Sequence, residues 1–185
     1  MTETSLYSHG GELFVEGMEV TLENVMQFRE KKAAIQDWLI SGNTDRIVVA
    51  LGMNIPGTVK TGPAVYRAFL EGMRVLEEVF RKKKGTVHFE AVLREAAGYA
   101  AVCQVEGIPA KVMKKCAVEI EETHRWGRIF DIDVIDENGA LLTREEVGGN
   151  ARKCILCGRD AKVCGRSRTH TARELYEKVL EIMEK

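Results

Sequence analysis

The sequence predicts an α+β fold: a ferredoxin-like β-α-β-β-α-β core with an added N-terminal helix and a C-terminal Cys-rich segment plus helix. Three observations predict it. Residues 46–52 (Arg-Ile-Val-Val-Ala-Leu-Gly) form a β-branched, apolar run with the character of a buried strand. Residues 63–80 carry apolar side chains at helical spacing, and two alternating runs follow them. A second helical stretch from Pro109 then leads into 129–135, where Asp131 and Asp133 alternate with Ile132 and Val134 as on a strand.

Bulk properties narrow the function. The 185 residues are 45% hydrophobic, enough for one domain with a proper core. A net charge of −1 gives no global basic field, so bulk nucleic-acid or membrane-surface binding has no compositional support. Any phosphate site must therefore be local. No apolar run approaches a membrane span, and the start of the chain lacks a charged and then apolar leader, so a cytoplasmic protein is expected. Five cysteines, three of them between positions 154 and 164, fit a reducing compartment and a local metal site better than a disulfide framework.

Residues 1–20 contain two glycine-containing turns and no period, and read as a loosely attached entry segment. Thr21 is an expected N-cap for a helix to about Ser41, stopped by Gly42 and Asn43. Leu22, Met26, Ala33 and Ile40 are expected on one side of it, together with Arg29 and Gln36, with Lys32 at the margin. Polar groups within an apolar stripe must be paired or face a pocket, which leaves salt-bridged partners or a ligand as alternatives. After the 46–52 strand comes a loop broken by Pro56-Gly57, ending at Lys60. Pro63 opens the next helix at its first position, and Val65, Phe69, Met73, Leu76 and Phe80 form its core stripe.

Residues 86–92 alternate as a strand, although 93–97 also suits a helix; 99–105 reads as the next strand. The helix from 109 to about 122 is expected to turn Val112, Cys116, Val118 or Glu119, and Ile120 inward, with Cys103 and Cys116 as small core residues. Glu137-Asn138-Gly139 is a hairpin signal leading to 140–142. In this topology the first and fourth strands are antiparallel neighbours, so the loop with Lys60 lies beside His124 and Arg128 at the entry to the fourth. A cation and a histidine are thus expected near the acidic pair. Asp-x-Asp is common on solvated strands, but it is also a seat for magnesium, which takes carboxylate and phosphate oxygens. RNA-recognition domains share the element order but need an aromatic, glycine-rich third strand, and 98–103 offers a single aromatic.

The tail, residues 144–185, is a basic Cys/His-containing module appended to a core of 21–143. Cys154, Cys157, Cys164 and His170 have the spacing Cys-x2-Cys-x6-Cys-x5-His, which can wrap a tetrahedral zinc or be a reduced cysteine cluster. Between 144 and 170 there are seven Lys or Arg against three acids, enough to grip phosphates or an acidic partner. Residues 171–185 close as a helix with Leu175, Val179 and Ile182 as its stripe.

Taken together, Gly127-Arg128-x-x-Asp131-x-Asp133-Val134 preceded by His124, Arg152-x-Cys154-x-Leu156-Cys157, and the later Cys164, Arg166 and His170 resemble the apo-citrate lyase phosphoribosyl-dephospho-CoA transferases. The resemblance extends upstream through Arg67 and Pro56-Gly57-x-x-Lys60 to Arg29-Glu30-x-Lys32-x-x-x-Gln36, nearly the whole chain from Thr21. The chain departs from the family in having Lys32 where arginine is usual, and Arg125-Trp126 where Pro-Leu is usual. The resemblance implies a single transferase domain whose activity is to pass the prosthetic group of triphosphoribosyl-dephospho-CoA to a serine of the citrate lyase acyl carrier subunit, releasing pyrophosphate. In that reading Asp131 and Asp133 hold magnesium, Arg128 and Lys60 neutralise phosphate oxygens, and His124 takes the serine proton. Arg29, Lys32, Gln36, Arg67 and Arg166 are further substrate contacts. Two alternatives stay open: another metal-dependent nucleotidyl or phosphopantetheinyl-type transferase acting on a related carrier, or a noncatalytic zinc-bearing interaction module.

Overall fold

The computed structural model describes residues 17–42 and 45–184, so the expected entry segment up to residue 16 and the helix stop at Asn43 lie outside the described residues. Five helices and one four-stranded sheet follow in the order α1 (Leu22–Ser41), β1 (Ile47–Met53), α2 (Pro63–Lys82), β2 (Thr86–Glu95), β3 (Gly98–Glu106), α3 (Ala110–Thr123), β4 (Phe130–Ile135), α4 (Ala161–Arg166) and α5 (Ala172–Glu184). The sheet is antiparallel throughout, with strand order β2-β3-β1-β4. Among the described residues no helix is long and apolar enough to cross a membrane.

Period-2 alternation divides the sheet into two unlike faces. Ile47, Val49 and Leu51 of β1 and Phe130, Ile132 and Val134 of β4 point to one side, where they join Val65, Phe69, Leu76 and Phe80 of α2, Met113 and Ile120 of α3, and Val179 and Met183 of α5. Gly72 lets α2 approach closely, since a Cβ there would meet Leu51 at 2.9 Å and Phe130 at 3.2 Å. The other side is covered by α1. There Val48, Ala50, Val102 and Ile135 form a smaller cluster with Leu39, and Phe28 packs separately on Ala97 and Ala100.

Helix α1 starts where its cap predicts: Thr21 and Asn24 make reciprocal capping contacts. Its inner face is the expected one only at Gln36 and Ile40. Leu22 and Met26 are 74% and 52% exposed, Arg29 and Ala33 are also exposed, and the inward stripe is Phe28, Lys32, Ile35, Gln36 and Leu39. The helix is turned by about one residue, roughly 100°, which packs Phe28 on Ala97 and Ala100 and Leu39 on Val48 and Ala50. The inner face of α3 is likewise shifted, to Met113, Lys114, Ala117, Val118, Ile120 and Glu121, leaving Val112 exposed and Cys116 half-buried against the core. β2 continues as a strand to Glu95, so the helical alternative for 93–97 is lost to cross-strand pairing with β3. The 137–139 hairpin forms, with the amide of Leu142 donating to the carbonyl of Val134 and Ile135 bridging Leu141.

Candidate active site and metal cluster

β4 is an edge strand, and an open edge leaves unpaired backbone groups. Here side chains cover it. Glu121 accepts from the amide of Ile132 at 2.8 Å, Lys114 donates to the carbonyl of Ile132 at 3.1 Å, and Arg152 donates to the carbonyl of Phe130 at 2.9 Å. Glu121 is 3% exposed and also pairs with Arg152 and, at 3.2 Å, with Arg144. Burying such a charge is tolerable only because every partner is present. Gly127 permits the entry turn: a Cβ there would collide with the carbonyl oxygens of Ile120 and Glu121.

With its edge held, β4 presents Asp131 and Asp133 together on the α1 side. Asp131 pairs in register with Gly52 and Asp133 with Ala50. Lys32 reaches down from α1 to within 3.0 Å of Asp133, and its Nζ stands over Gly52. Asp131 has Arg152 at 3.5 Å and a half-exposed side chain. Lys114 is pulled below its usual value by burial, and the charges of Glu121, Asp133 and Asp131 oppose that effect. The pair is therefore a carboxylate site already surrounded by cations.

The remaining expected residues are distributed unevenly. The exit of β1 does lie against the entry of β4, with the amide of Asn54 donating to Ile129 at 2.7 Å. Lys60 donates to the carbonyl of Ile55 at 2.5 Å, and burial, then the nearby Arg29, lowers its pKa. Gln36 is buried one turn beyond Lys32. His124 is not with the carboxylates. Its ring stacks on Phe130 with centroids 5.3 Å apart, its Nδ1 accepts from the amide of Trp126, and its Nε2 is 3.5 Å from Glu71 of α2, all on the opposite face of the sheet. Arg67 and Arg166 are exposed.

Arg128 donates to the carbonyl of Lys153 and lines a cleft of about 450 Å³ together with Arg144, Arg152, Lys153 and Glu122. Lys114 and Glu121 had no role in the sequence reading, and Arg144 entered it only as one of the seven cations of the tail. The signal was there for two of them: Lys114 and Glu121 are seven apart on the same helical stripe as Met113 and Ala117.

The C-terminal cysteines and histidine converge. The ligand atoms of Cys154, Cys157, Cys164 and His170 all lie within 4.8 Å of one another, and the sulfurs of Cys157 and Cys164 are 3.8 Å apart. Gly158, at φ +70°, closes the Cys154–Cys157 turn by donating to the carbonyl of Cys154. The neighbouring His170 and then Arg159 hold the Cys157 thiol down at about 5, while burial pushes Cys164 up. The Nε2 of His170 is buried without a hydrogen-bond partner. A cluster of this kind can hold a metal such as zinc.

Comparison with known proteins settles the family. The apo-citrate lyase phosphoribosyl-dephospho-CoA transferase profile matches residues 20–185. The chain belongs to that family. A probable apo-citrate lyase phosphoribosyl-dephospho-CoA transferase of Vibrio cholerae is 31% identical over 166 residues, covering 89% of this chain and 92% of the relative. The Citrobacter koseri apo-citrate lyase phosphoribosyl-dephospho-CoA transferase is 31% identical over 157 residues, 84% of each chain. Protein CitXG of Leuconostoc mesenteroides is 29% identical over 179 residues; the match covers 92% of this chain but 36% of that longer protein.

Proposed function

We propose that this chain transfers phosphoribosyl-dephospho-CoA from triphosphoribosyl-dephospho-CoA to a serine of the apo-citrate lyase acyl carrier subunit. The family match across 20–185 carries the reading. The serine oxygen forms a bond to the ribose-bound phosphorus, the bond from that phosphorus to the bridging oxygen breaks, and pyrophosphate leaves with the electron pair. Such transfers depend mainly on positioning and charge neutralisation. Asp131 and Asp133 would hold magnesium: two hard carboxylates on one strand face, already attracting Lys32 and Arg152, form a donor set suited to it. When bound, the ion neutralises charge on the transferring phosphate and the leaving group. Lys32 holds Asp133 and Arg152 holds Asp131, fixing both carboxylates before substrate arrives. Arg128 and Lys60 face phosphate oxygens, with Arg29, Lys32, Gln36, Arg67 and Arg166 as contacts along the rest of the donor.

The far-face position of His124 favours Asp133 as acceptor of the serine proton, with His124 positioning Phe130 and the entry of β4. His124→Ala should then keep most of the turnover; a loss beyond roughly 100-fold would return the role to histidine. The defining experiment incubates the protein with apo-carrier, magnesium and triphosphoribosyl-dephospho-CoA. A mass gain of one phosphoribosyl-dephospho-CoA on the carrier serine is expected, and an unmodified carrier would exclude the reading.

The strand order β2-β3-β1-β4 supports a ferredoxin-like core over 21–143, and the packing of Val179 and Met183 into that core supports one domain with 144–185 attached. Zinc is our assignment for the Cys154/Cys157/Cys164/His170 cluster. Zinc–sulfur bonds of about 2.3 Å in a tetrahedron separate sulfurs by about 3.8 Å, the spacing of Cys157 and Cys164. Protein purified without chelator should contain one zinc per chain by elemental analysis. Five unpaired cysteines support a reducing, cytoplasmic location.

A further inference from the structure

The cleft beside β4 has an electrostatic character that the acidic pair does not explain. Arg128, Arg144, Arg152 and Lys153 line it against one acid, Glu122. Two of these cations are already committed. Arg144 pairs with Glu121 at 3.2 Å and Glu122 at 3.3 Å, and Arg152 pairs with Glu121 and Asp131. Arg128 has no carboxylate partner among the described residues; its guanidinium reaches only the carbonyl of Lys153, itself a lining residue. Arg128 is half-buried, and burial, then the charges of Arg152 and Arg144, weaken its hold on its proton. A cluster of guanidinium groups that repel one another is stabilised by an anion placed between them, and Arg binds phosphate oxygens in bidentate fashion.

Position gives the anion its identity. Arg152 is shared: one guanidinium nitrogen contacts Asp131 and the carbonyl of Phe130, and the same side chain lines the cleft. A phosphate held at the acidic pair therefore meets the cleft through Arg152, which touches Asp131 and lines the cleft. We infer that the cleft lined by Arg128, Arg144, Arg152 and Lys153 is a polyphosphate subsite that receives the leaving pyrophosphate. This rests on the proposed transfer reaction and assigns a separate place to its second product. Arg128 and Lys153 supply the uncommitted charge, whereas Arg144 and Arg152 stay anchored by Glu121 and keep the cleft open.

The test is calorimetric titration of the full chain with inorganic pyrophosphate, with no carrier and no CoA derivative present. Pyrophosphate should bind, and orthophosphate should bind more weakly. Arg128→Gln/Lys153→Gln should weaken pyrophosphate binding by roughly tenfold or more, whereas Arg81→Gln, an exposed cation at the far end of α2, should leave it unchanged. Because Arg128 and Lys153 do not hold Glu121, the double variant should melt at the wild-type temperature, and a variant that fails to fold can be replaced by Lys153→Gln alone. Equal pyrophosphate affinity in wild type and variant, or no pyrophosphate binding by an enzyme that still loads the carrier, overturns the subsite. Pyrophosphate binding lost in the variant, with no carrier loading by wild type, keeps the subsite and removes the proposed acceptor instead.

Discussion

The two faces of one sheet have been put to different uses. Beneath α2, α3 and α5 the inward residues Ile47, Val49 and Leu51 of β1 and Phe130, Ile132 and Val134 of β4 are apolar and almost fully buried. Beneath α1 the same strands alternate to Ala50, Gly52, Asp131 and Asp133, and the covering helix brings Lys32 and Gln36 among its inward side chains. Both faces are roofed by helices, yet one roof closes the main core while the other, beside its smaller apolar clusters, holds a charge over a carboxylate pair. The lesson is that β4 serves both at once, its even positions fastening the fold and its odd positions presenting the carboxylate pair we propose as the reactive site.

Substitutions on the two faces should therefore separate activity from stability. Asp131→Asn should lower carrier loading by about 10³-fold while thermal unfolding stays near wild type; parallel losses of both would mean that Asp131 is structural. On the other face Phe69→Ala should cost about 3–5 kcal/mol in urea unfolding, and any protein that stays folded should keep its turnover per folded molecule. Lys32→Ala should leave Asp133 without its 3.0 Å partner and slow loading by roughly tenfold. Lys32→Arg, which places the family's usual residue there, should restore it. The smallest effect belongs to Glu71, which Arg74 chiefly, with help from His124, holds at about 2. Its depressed pKa gives stability that is present above the ordinary carboxylate value near 4.5 and is lost as pH falls towards 2. Its chief partner Arg74 is exposed and the pair is screened by solvent, so Glu71→Gln should flatten that acid slope by less than about 1 kcal/mol.

Much of the fold was legible because it is written in local periodicity. The β-branched run of β1, the α2 stripe from Val65 to Phe80, the Thr21 cap and the turn at Gly139 each follow from neighbours in sequence. The face of α1 was not legible. Its stripe of Leu22, Met26, Ala33 and Ile40 is as regular as the true one, and only the shape of the sheet beneath selects Phe28 and Leu39. The Cys154–His170 cluster was readable from spacing alone, since its four residues lie within seventeen positions of one another. The role of Glu121 was not, because its partners lie at Ile132, Arg144 and Arg152.

By itself the sequence determined the elements, their order, the acidic pair and the family, all of which depend on short-range pattern or on residue identity. Tertiary structure decided which charges meet. Lys32 and Asp133 are 101 residues apart, and no periodicity within either element could pair them. It likewise placed His124 across the sheet from the carboxylates it precedes by only a few residues. The physical reason is that His124 caps α3 against Phe130 and α2, whereas the alternation of β4 turns Asp131 and Asp133 to the α1 face, so closeness in sequence does not give closeness at the site.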